Sequence, residues 1–348
     1  MEQWEGKWEK RWHPLREEWV VYAAHRNQRP WTTGKESMSH SSKPAYDPGC
    51  YLCPNNCRVH GSQNPDYAGV YIFDNDHPVV GLEAPEVVSL SHDPLYQKAP
   101  AKGITRVVCY DPRHHVSPAD LSQPQLYNIF LALREQMRFF EQHQTIKNVL
   151  IFENKGKITG VSNPHPHAQI YAVDFIFKDV DRHLAVADTF RRKHGLNVFE
   201  EIIAREQRDK VRLVGENKTC IAFVPFFARY AYEVMVFPKQ RHANMVTMAD
   251  EEVEDMAALY QQVVRRYDLI YNMPFPYVMS IVQAPVDGQY HPEHHLYLWF
   301  QPPLRQPGLQ KYLAGPEIGI GNFMADTLPE EKAAELKAVD LHTYQARQ

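Results

Sequence analysis

One order of elements occurs twice along this chain, and it constrains the fold more than any other feature. Arg106–Asp111 is strand-like and runs into Pro112 and His114; Glu233–Phe237 is strand-like and runs through Pro238 to His242. Each lead-in is followed by helical spacing. In Asp120–His143, Leu126, Ile129, Phe130, Leu133, Met137 and Phe140 recur at steps of three and four; in Asp250–Tyr271, Val253, Met256, Leu259, Tyr260, Val263 and Tyr267 do the same. A strand and then a histidine-rich strand follow each helix: Asn148–Phe152 before the His165 segment, and Tyr277–Val282 before His294–Phe300. The copies are offset by about 130 residues, near the usual size of one domain, so a duplicated domain is the economical expectation. The full length of 348 residues allows roughly two to three domains. Between the copies, Lys178–Lys218 is charged and helix-favouring and reads as a connector. Near the end, Thr327-Leu-Pro-Glu330 reads as a capping box opening a short helix to about Val339.

The first histidine-rich strand carries the chemistry. It reads Val161-Ser-Asn-Pro-His165-Pro-His167-Ala-Gln169-Ile-Tyr-Ala172. Alternation along a strand places His165, His167 and Gln169 on one face and Pro166, Ala168 and Ile170 on the other. Pro166 lacks an N–H, so the histidines belong at a strand start or an edge. Such a face presents two imidazoles and an amide to one ligand. A neutral imidazole is nucleophilic and leaves readily once bonded to phosphorus. Gln169 can donate to a non-bridging oxygen as charge develops there. Upstream, Asn154-Lys-Gly-Lys-Ile-Thr-Gly160 is a flexible polar loop whose glycines let backbone amides approach a phosphate. Neither a Walker motif nor GxGxxG is present.

Five cysteines, three of them crowded between Cys50 and Cys57, suit a reducing compartment and a metal better than a disulfide framework. Cys50 and Cys53 have the spacing of two tetrahedral thiolate ligands and need two more. His114 or His115, His165 and Cys57 are the candidates to complete the set. If His165 goes to the metal, His167 is left for chemistry. Lys and Arg total 38 against 42 Asp and Glu, so no overall field draws the chain to nucleic acid or a membrane. The first residues lack the apolar core of a secretory signal, and no window reaches about 18 uncharged apolar residues. A cytoplasmic protein acting on small molecules is expected. Arg26 and Arg29, three apart, suit phosphate clamping. Asn75-Asp76, after the strand-like Val70–Phe73, reads ribose hydroxyls or makes a turn. In the second copy the histidine-rich strand brings Tyr297 and Trp299 into register with the first copy's histidines, which predicts a silent second site. His291, His294 and His295 read as surface histidines or as a metal cluster.

Taken together, Arg-Pro-Trp, Asp-Pro-x-Cys-x-x-Cys-Pro, Asn-Pro-Asp-Tyr, Glu-Asn-Lys-Gly and Ser-Asn-Pro-His-Pro-His-x-Gln-Ile closely resemble the galactose-1-phosphate uridylyltransferases of the histidine-triad superfamily. The resemblance runs from about Trp8 to the C-terminal helix. It implies an α+β fold of two histidine-triad-like repeats, each an antiparallel sheet with packed helices, over residues 1–176 and 177–348. It further implies a homodimer with active sites at the interface, and ping-pong transfer of UMP from UDP-glucose to a hexose 1-phosphate. By motif, His167 is the nucleophile, Gln169 and Ser162 contact phosphoryl groups, and Asn154 contributes from its loop. Cys50, Cys53, His114 and His165 match the ligands of one structural zinc. Arg26, Arg29, Asn75 and Asp76 match nucleotide and phosphate contacts. Lys311 and Glu317 match the segment that reaches the sugar, from the partner subunit. Members with a second, iron-type site carry His-x-His where this chain has Tyr297 and Trp299, and a histidine where it has Val282, so no second metal is expected. Pro316 and the Gly319–Phe323 stretch also depart from the family pattern beside the sugar, which leaves galactose as the starting expectation. Two other readings share the motifs: a nucleoside-diphosphate-sugar phosphorylase of the ADP-sugar type, and a non-catalytic nucleotide-sugar binding protein.

Overall fold

Both copies are present as the same run of elements in the computed structural model, which describes residues 8–24, 44–85 and 95–346. A hairpin of β1 (Glu9–His13) and β2 (Glu18–Tyr22) precedes them. The first copy contains β3 (Tyr71–Asp74), β4 (Gly103–Cys109), α1 (Gln123–Glu141), β5 (Asn148–Lys155) and β6 (His167–Val173). Next come α2 (Lys178–His194), α3 (Val198–Asp209) and β7 (Leu213–Glu216). The second copy contains β8 (Cys220–Phe223), β9 (Val234–Pro238), α4 (Asp250–Ile270), β10 (Tyr277–Val282) and β11 (Tyr297–Gln301). A small hairpin, β12 (Leu304–Gln306) with β13 (Leu309–Gln310), then β14 (Met324–Ala325) and α5 (Pro329–Ala338), follow.

The strand order shows how the copies join. One sheet of nine strands runs β3-β4-β6-β5-β10-β11-β9-β8-β7, so each copy repeats the same order and the two meet where β5 pairs antiparallel with β10. Ile151 lies opposite Ile281 at that junction. β14 adds to β2 in a separate three-stranded sheet.

Side-chain period sets the layers. Ala168, Ile170 and Ala172 of β6 point into a core shared with Leu126, Phe130 and Met137 of α1 and Met256, Tyr260 and Tyr267 of α4. Burial of each such large apolar side chain stabilises the fold by about 1.5–3 kcal/mol relative to exposure. α1 starts at Ser122, whose hydroxyl accepts from the Gln125 backbone while the Gln125 side chain accepts from the Ser122 N–H, and Pro124 stands in the first turn. On the opposite face of the sheet the copies differ. The first is covered by the Cys50–Tyr67 segment, packed on Val107 and Cys109 of β4. The second is covered by α2 and α3, through Val180, Ala187, Phe199, Ile202 and Ile203.

Three expectations are corrected here. Lys178–Lys218 is more than a connector, because α2 and α3 bury an apolar stripe on Phe237, Tyr297 and Trp299. Thr327 does not cap α5: the cap is Leu328 with no side-chain bond. Glu330 instead accepts from Arg11 and Arg212 Nη1 atoms at 2.8 Å, and two guanidiniums outcompete one backbone N–H for its carboxylate. His294 and His295 are fully buried rather than at the surface, with Phe199 packed beside both.

Candidate active site and metal centre

Cys50, Cys53, His114 and His165 come together from three separate parts of the chain. All four are buried, and their ligand atoms lie within 4.8 Å of one another. Cys53 Sγ is 3.6 Å from the Nδ1 of both His114 and His165. His115 and Cys57 do not enter the cluster; Cys57 is exposed, and its backbone bridges to Gln63. His165 Nε2 lies 2.9 Å from the Asp111 carbonyl and 3.1 Å from the Tyr67 hydroxyl. Donation to the carbonyl puts the ring proton on Nε2 and leaves the Nδ1 lone pair facing the sulfur. Burial lowers the imidazole of His165 to about 4, so it is neutral and can ligate. Burial pushes the Cys53 thiol up to about 12; a bound cation reverses that preference by favouring the thiolate. This donor set can hold a metal ion.

Several residues that organise the cluster were not singled out from the sequence. Asn163 donates from Nδ2 to Cys50 Sγ at 3.3 Å, and its Oδ1 accepts from the His165 N–H at 2.9 Å. An Asn two residues before a bonded backbone N–H is an Asx-turn, and Asn-Pro-His carries that signal. Tyr67 donates to the Leu52 carbonyl at 2.6 Å and so ties the cysteine loop to His165. The Tyr51 hydroxyl lies 3.3 Å from Ser162 Oγ.

His167 and His165 part company at the strand start. β6 begins at His167, and Pro166 still accepts from the Tyr110 N–H at 3.0 Å, so the proline stands where no ladder donor is needed. The His165 side chain turns into the cysteine cluster. His167 and Gln169 face the other way from the core, half-buried, as their alternation requires. His167 Nδ1 lies 2.7 Å from the His165 carbonyl. Donation there puts the proton on Nδ1 and leaves the Nε2 lone pair outward. Burial lowers the basicity of His167, which keeps the ring neutral.

The strand ladder fixes what surrounds it. Cys109 is opposite His167 on β4, and Tyr71 is opposite Cys109 on β3. One step along, Gln169, Val107 and Phe73 form a parallel line, and Phe152 of β5 is opposite Gln169. Asn154, two residues beyond Phe152, shares that face. Its loop turns at Gly156, where φ is 90° and an added Cβ would come within 2.7 Å of Pro276; only glycine fits. Lys155, next to Asn154, is anchored by Asp268 at 2.6 Å. Asn75 caps its own turn, accepting from the His77 N–H at 2.9 Å, and Asp76 lies 3.5 Å from an Arg58 guanidinium nitrogen. Ser162 is exposed at the rim.

The remaining candidates are placed elsewhere or lie outside the described residues. Lys311 Nζ and Glu317 Oε1 are 2.5 Å apart, and Glu317 also accepts from the Ala314 and Met324 backbones. Their hydrogen bonds stay within the segment joined to β2 through β14, and none reaches β6. Arg26 and Arg29 lie outside the described residues. In the second copy, Trp299 Nε1 donates to Glu233 at 2.8 Å, Tyr297 OH lies 3.4 Å from His183 Nδ1, and Val282 packs in the same apolar cluster. Among the described residues no helix is long and apolar enough to cross a membrane.

Comparison with known proteins adds to this geometry. The family described as galactose-1-phosphate uridyl transferase, N-terminal domain, matches residues 2–176, and its C-terminal domain counterpart matches residues 184–348. A Haemophilus influenzae protein named galactose-1-phosphate uridylyltransferase is 35% identical over 97% of this chain and 96% of its own. A solved structure titled uridylyltransferase superposes with a TM-score of 0.77 at 31% identity, covering 94% of this chain and 97% of that one. An ADP-glucose phosphorylase from Arabidopsis thaliana reaches the same TM-score of 0.77 at 21% identity, covering 96% of this chain and 99% of that one, and so shares the fold.

Proposed function

We propose, for a chain that belongs to the galactose-1-phosphate uridylyltransferase family and is a nucleotidyltransferase, that His167 carries a uridylyl group between two sugar phosphates. The observation that carries the reading is the outward Nε2 of His167, set by the 2.7 Å contact of Nδ1 with the His165 carbonyl. In the first step Nε2 attacks the α-phosphorus of UDP-glucose, the P–O bond to glucose 1-phosphate breaks, and that phosphate leaves with the electron pair. The ring becomes cationic as the P–N bond forms, and the His165 carbonyl oxygen lies against the N–H that bears the charge. In the second step a phosphate oxygen of galactose 1-phosphate attacks the same phosphorus and returns the imidazole. Gln169 and Ser162 hold non-bridging oxygens, and Asn154 faces the same space from β5. Asn75, Asp76, Arg26 and Arg29 take the nucleotide and its phosphates. Lys311 and Glu317 serve the site of the partner subunit in a homodimer, consistent with hydrogen bonds that stay away from β6 in their own chain.

The metal is one structural zinc per chain. Zn–S and Zn–N bonds of roughly 2.3 and 2.0–2.1 Å in a tetrahedron require an S···N edge of about 3.6 Å, and the Cys53 sulfur lies 3.6 Å from each of the two histidine nitrogens. Cys50, Cys53, His114 and His165 would hold the zinc, which would supply rigidity there, keeping the His165 ring and with it the carbonyl beside His167 in place. Of the two repeats, residues 1–176 form the catalytic domain with the zinc site and residues 177–348 the domain whose C-terminal segment reaches the sugar, in the cytoplasm.

The test is intact mass after mixing with UDP-glucose, under conditions that preserve acid-labile adducts. Wild type gains one UMP, which galactose 1-phosphate removes; inorganic phosphate in its place, with ADP-glucose as donor, is the phosphorylase control. His167→Asn gains none. An adduct on His167→Asn equal to that on wild type would falsify the assignment of the nucleophile.

A further inference from the structure

The loop that carries Cys50 and Cys53 continues into a short hairpin, closed by the Cys57–Gln63 bridge and by an Arg58 N–H to Ser62 carbonyl bond of 2.7 Å. Two of its side chains reach the turn after β3. The Arg58 guanidinium lies over the Phe73 ring, 4.4 Å from its centroid, and its Nη1 is 3.5 Å from Asp76 Oδ1. His60 Nε2 bonds the Asp76 carbonyl. Only 15% of the Arg58 side chain and 13% of the Asp76 side chain is exposed, so this pair is screened far less than a surface ion pair.

The geometry matters because of where it puts a carboxylate. Asp76 follows β3 at a turn beyond Phe73, and its backbone alone sets no direction for the side chain. Pairing with a guanidinium that is itself stacked on Phe73 ties the carboxylate to the face of the sheet on which that ring lies. Phe73 is level with Gln169 across β4. Two inter-strand steps separate their backbones, roughly 10 Å, so a nucleotide held at Gln169 is within reach of the turn that carries Asp76. A lysine ammonium could neutralise Asp76, yet only a planar guanidinium can lie on the ring and reach the carboxylate at once.

We infer that Arg58 is a positioning residue that makes the site selective for ribonucleotides, by holding the Asp76 carboxylate where it accepts hydrogen bonds from the ribose hydroxyls of the donor. The inference rests on the uridylyl-transfer reading above. A hydroxyl donating to a held carboxylate is a charge-assisted bond, and its loss lowers kcat/KM by roughly 10- to 100-fold.

The experiment compares UDP-glucose with its 2′-deoxyribose and 3′-deoxyribose analogues on zinc-loaded full-length enzyme. Wild type prefers UDP-glucose over at least one analogue by roughly 10- to 100-fold. Arg58→Gln brings that ratio to within about threefold of unity, Asp76→Asn does the same, and the double variant adds nothing further, as for two residues acting on one interaction. Arg58→Lys keeps part of the ratio. A purely structural role for Arg58 lowers activity on all three donors alike and leaves the ratio at its wild-type value, which overturns the inference. A wild type indifferent to both deoxy analogues overturns it equally. If Arg58→Gln does not fold, Asp76→Asn and Arg58→Lys carry the comparison. A wild type that forms no uridylylated His167 from any donor sinks the transfer reading itself, a result distinct from an unchanged ratio.

Discussion

Replacing Asn163 with alanine separates the metal centre from the nucleophile more cleanly than removing a ligand does. Asn163 is 4% exposed, and its side chain bonds two partners, the Cys50 sulfur and the His165 N–H. Losing the Oδ1 acceptor orphans the buried His165 N–H, which costs about 1–3 kcal/mol. Losing the Nδ2 donor removes one N–H from Cys50 Sγ, worth about 1.5–3 kcal/mol once the sulfur is a thiolate. The Leu52 N–H, at 3.3 Å from Cys50 Sγ, remains and keeps the loop formed. The sum is about 2.5–6 kcal/mol of lost stability in the metal-loaded protein, with metal affinity down roughly 10- to 100-fold. Urea denaturation of the loaded protein reads the first quantity, and competition with a chromophoric chelator reads the second. Because His165 also supplies the carbonyl beside His167 Nδ1, uridylylation at saturating donor slows as well. Asn163→Asp divides the effects: it keeps an acceptor for His165 N–H but sets a carboxylate against the Cys50 sulfur, so metal affinity falls while the turn survives. If Asn163→Ala holds metal within about threefold of wild type and loses under about 1 kcal/mol, the reasoning from these two bonds fails.

Acid sensitivity follows from two buried histidines, His183 of α2 and His295 just before β11. Burial holds His183 down to about 4 and His295 down to about 3, against an ordinary value of 6.5. The unfolded chain therefore binds more protons from about pH 6.5 downward, and each residue removes about 2 kcal/mol of stability by pH 5. Urea midpoints measured from pH 7.5 to 5 should fall, and His183→Gln should flatten the curve; a flat wild-type profile contradicts the assignment. In the core, Glu153 accepts from Tyr110, Tyr260 and Tyr277 at 3.2, 2.5 and 2.7 Å, and burial raises its pKa despite those donors. Tyr260→Phe should cost about 1–3 kcal/mol in urea denaturation; a loss under about 0.5 kcal/mol would mean that the Tyr260–Glu153 bond adds nothing to stability.

Local pattern alone carried a great deal. Spacing of three and four located α1 and α4, alternation sorted His167 and Gln169 from Ala168 and Ile170, and Pro166 marked the strand start. These are consequences of backbone period and proline stereochemistry, which need no distant partner. The duplicated order likewise followed from the sequence, and so did the density of motif around the first histidine-rich strand. What stayed open were choices between neighbours that look alike along the chain. His114 and His115 differ by one position, yet only His114 turns its Nδ1 toward Cys53, a residue 61 positions away. Glu330 had a local partner in view at Thr327 and took Arg11, 319 positions distant. His294 and His295 looked exposed because nothing nearby shows that α2 and α3 lie over them. The joining of the repeats through β5 and β10, and the grip of Arg58 on Asp76, belong to the same class. A side chain's period tells which face it occupies; what that face meets is decided by contacts between segments far apart in sequence, and those form only when the whole chain has packed.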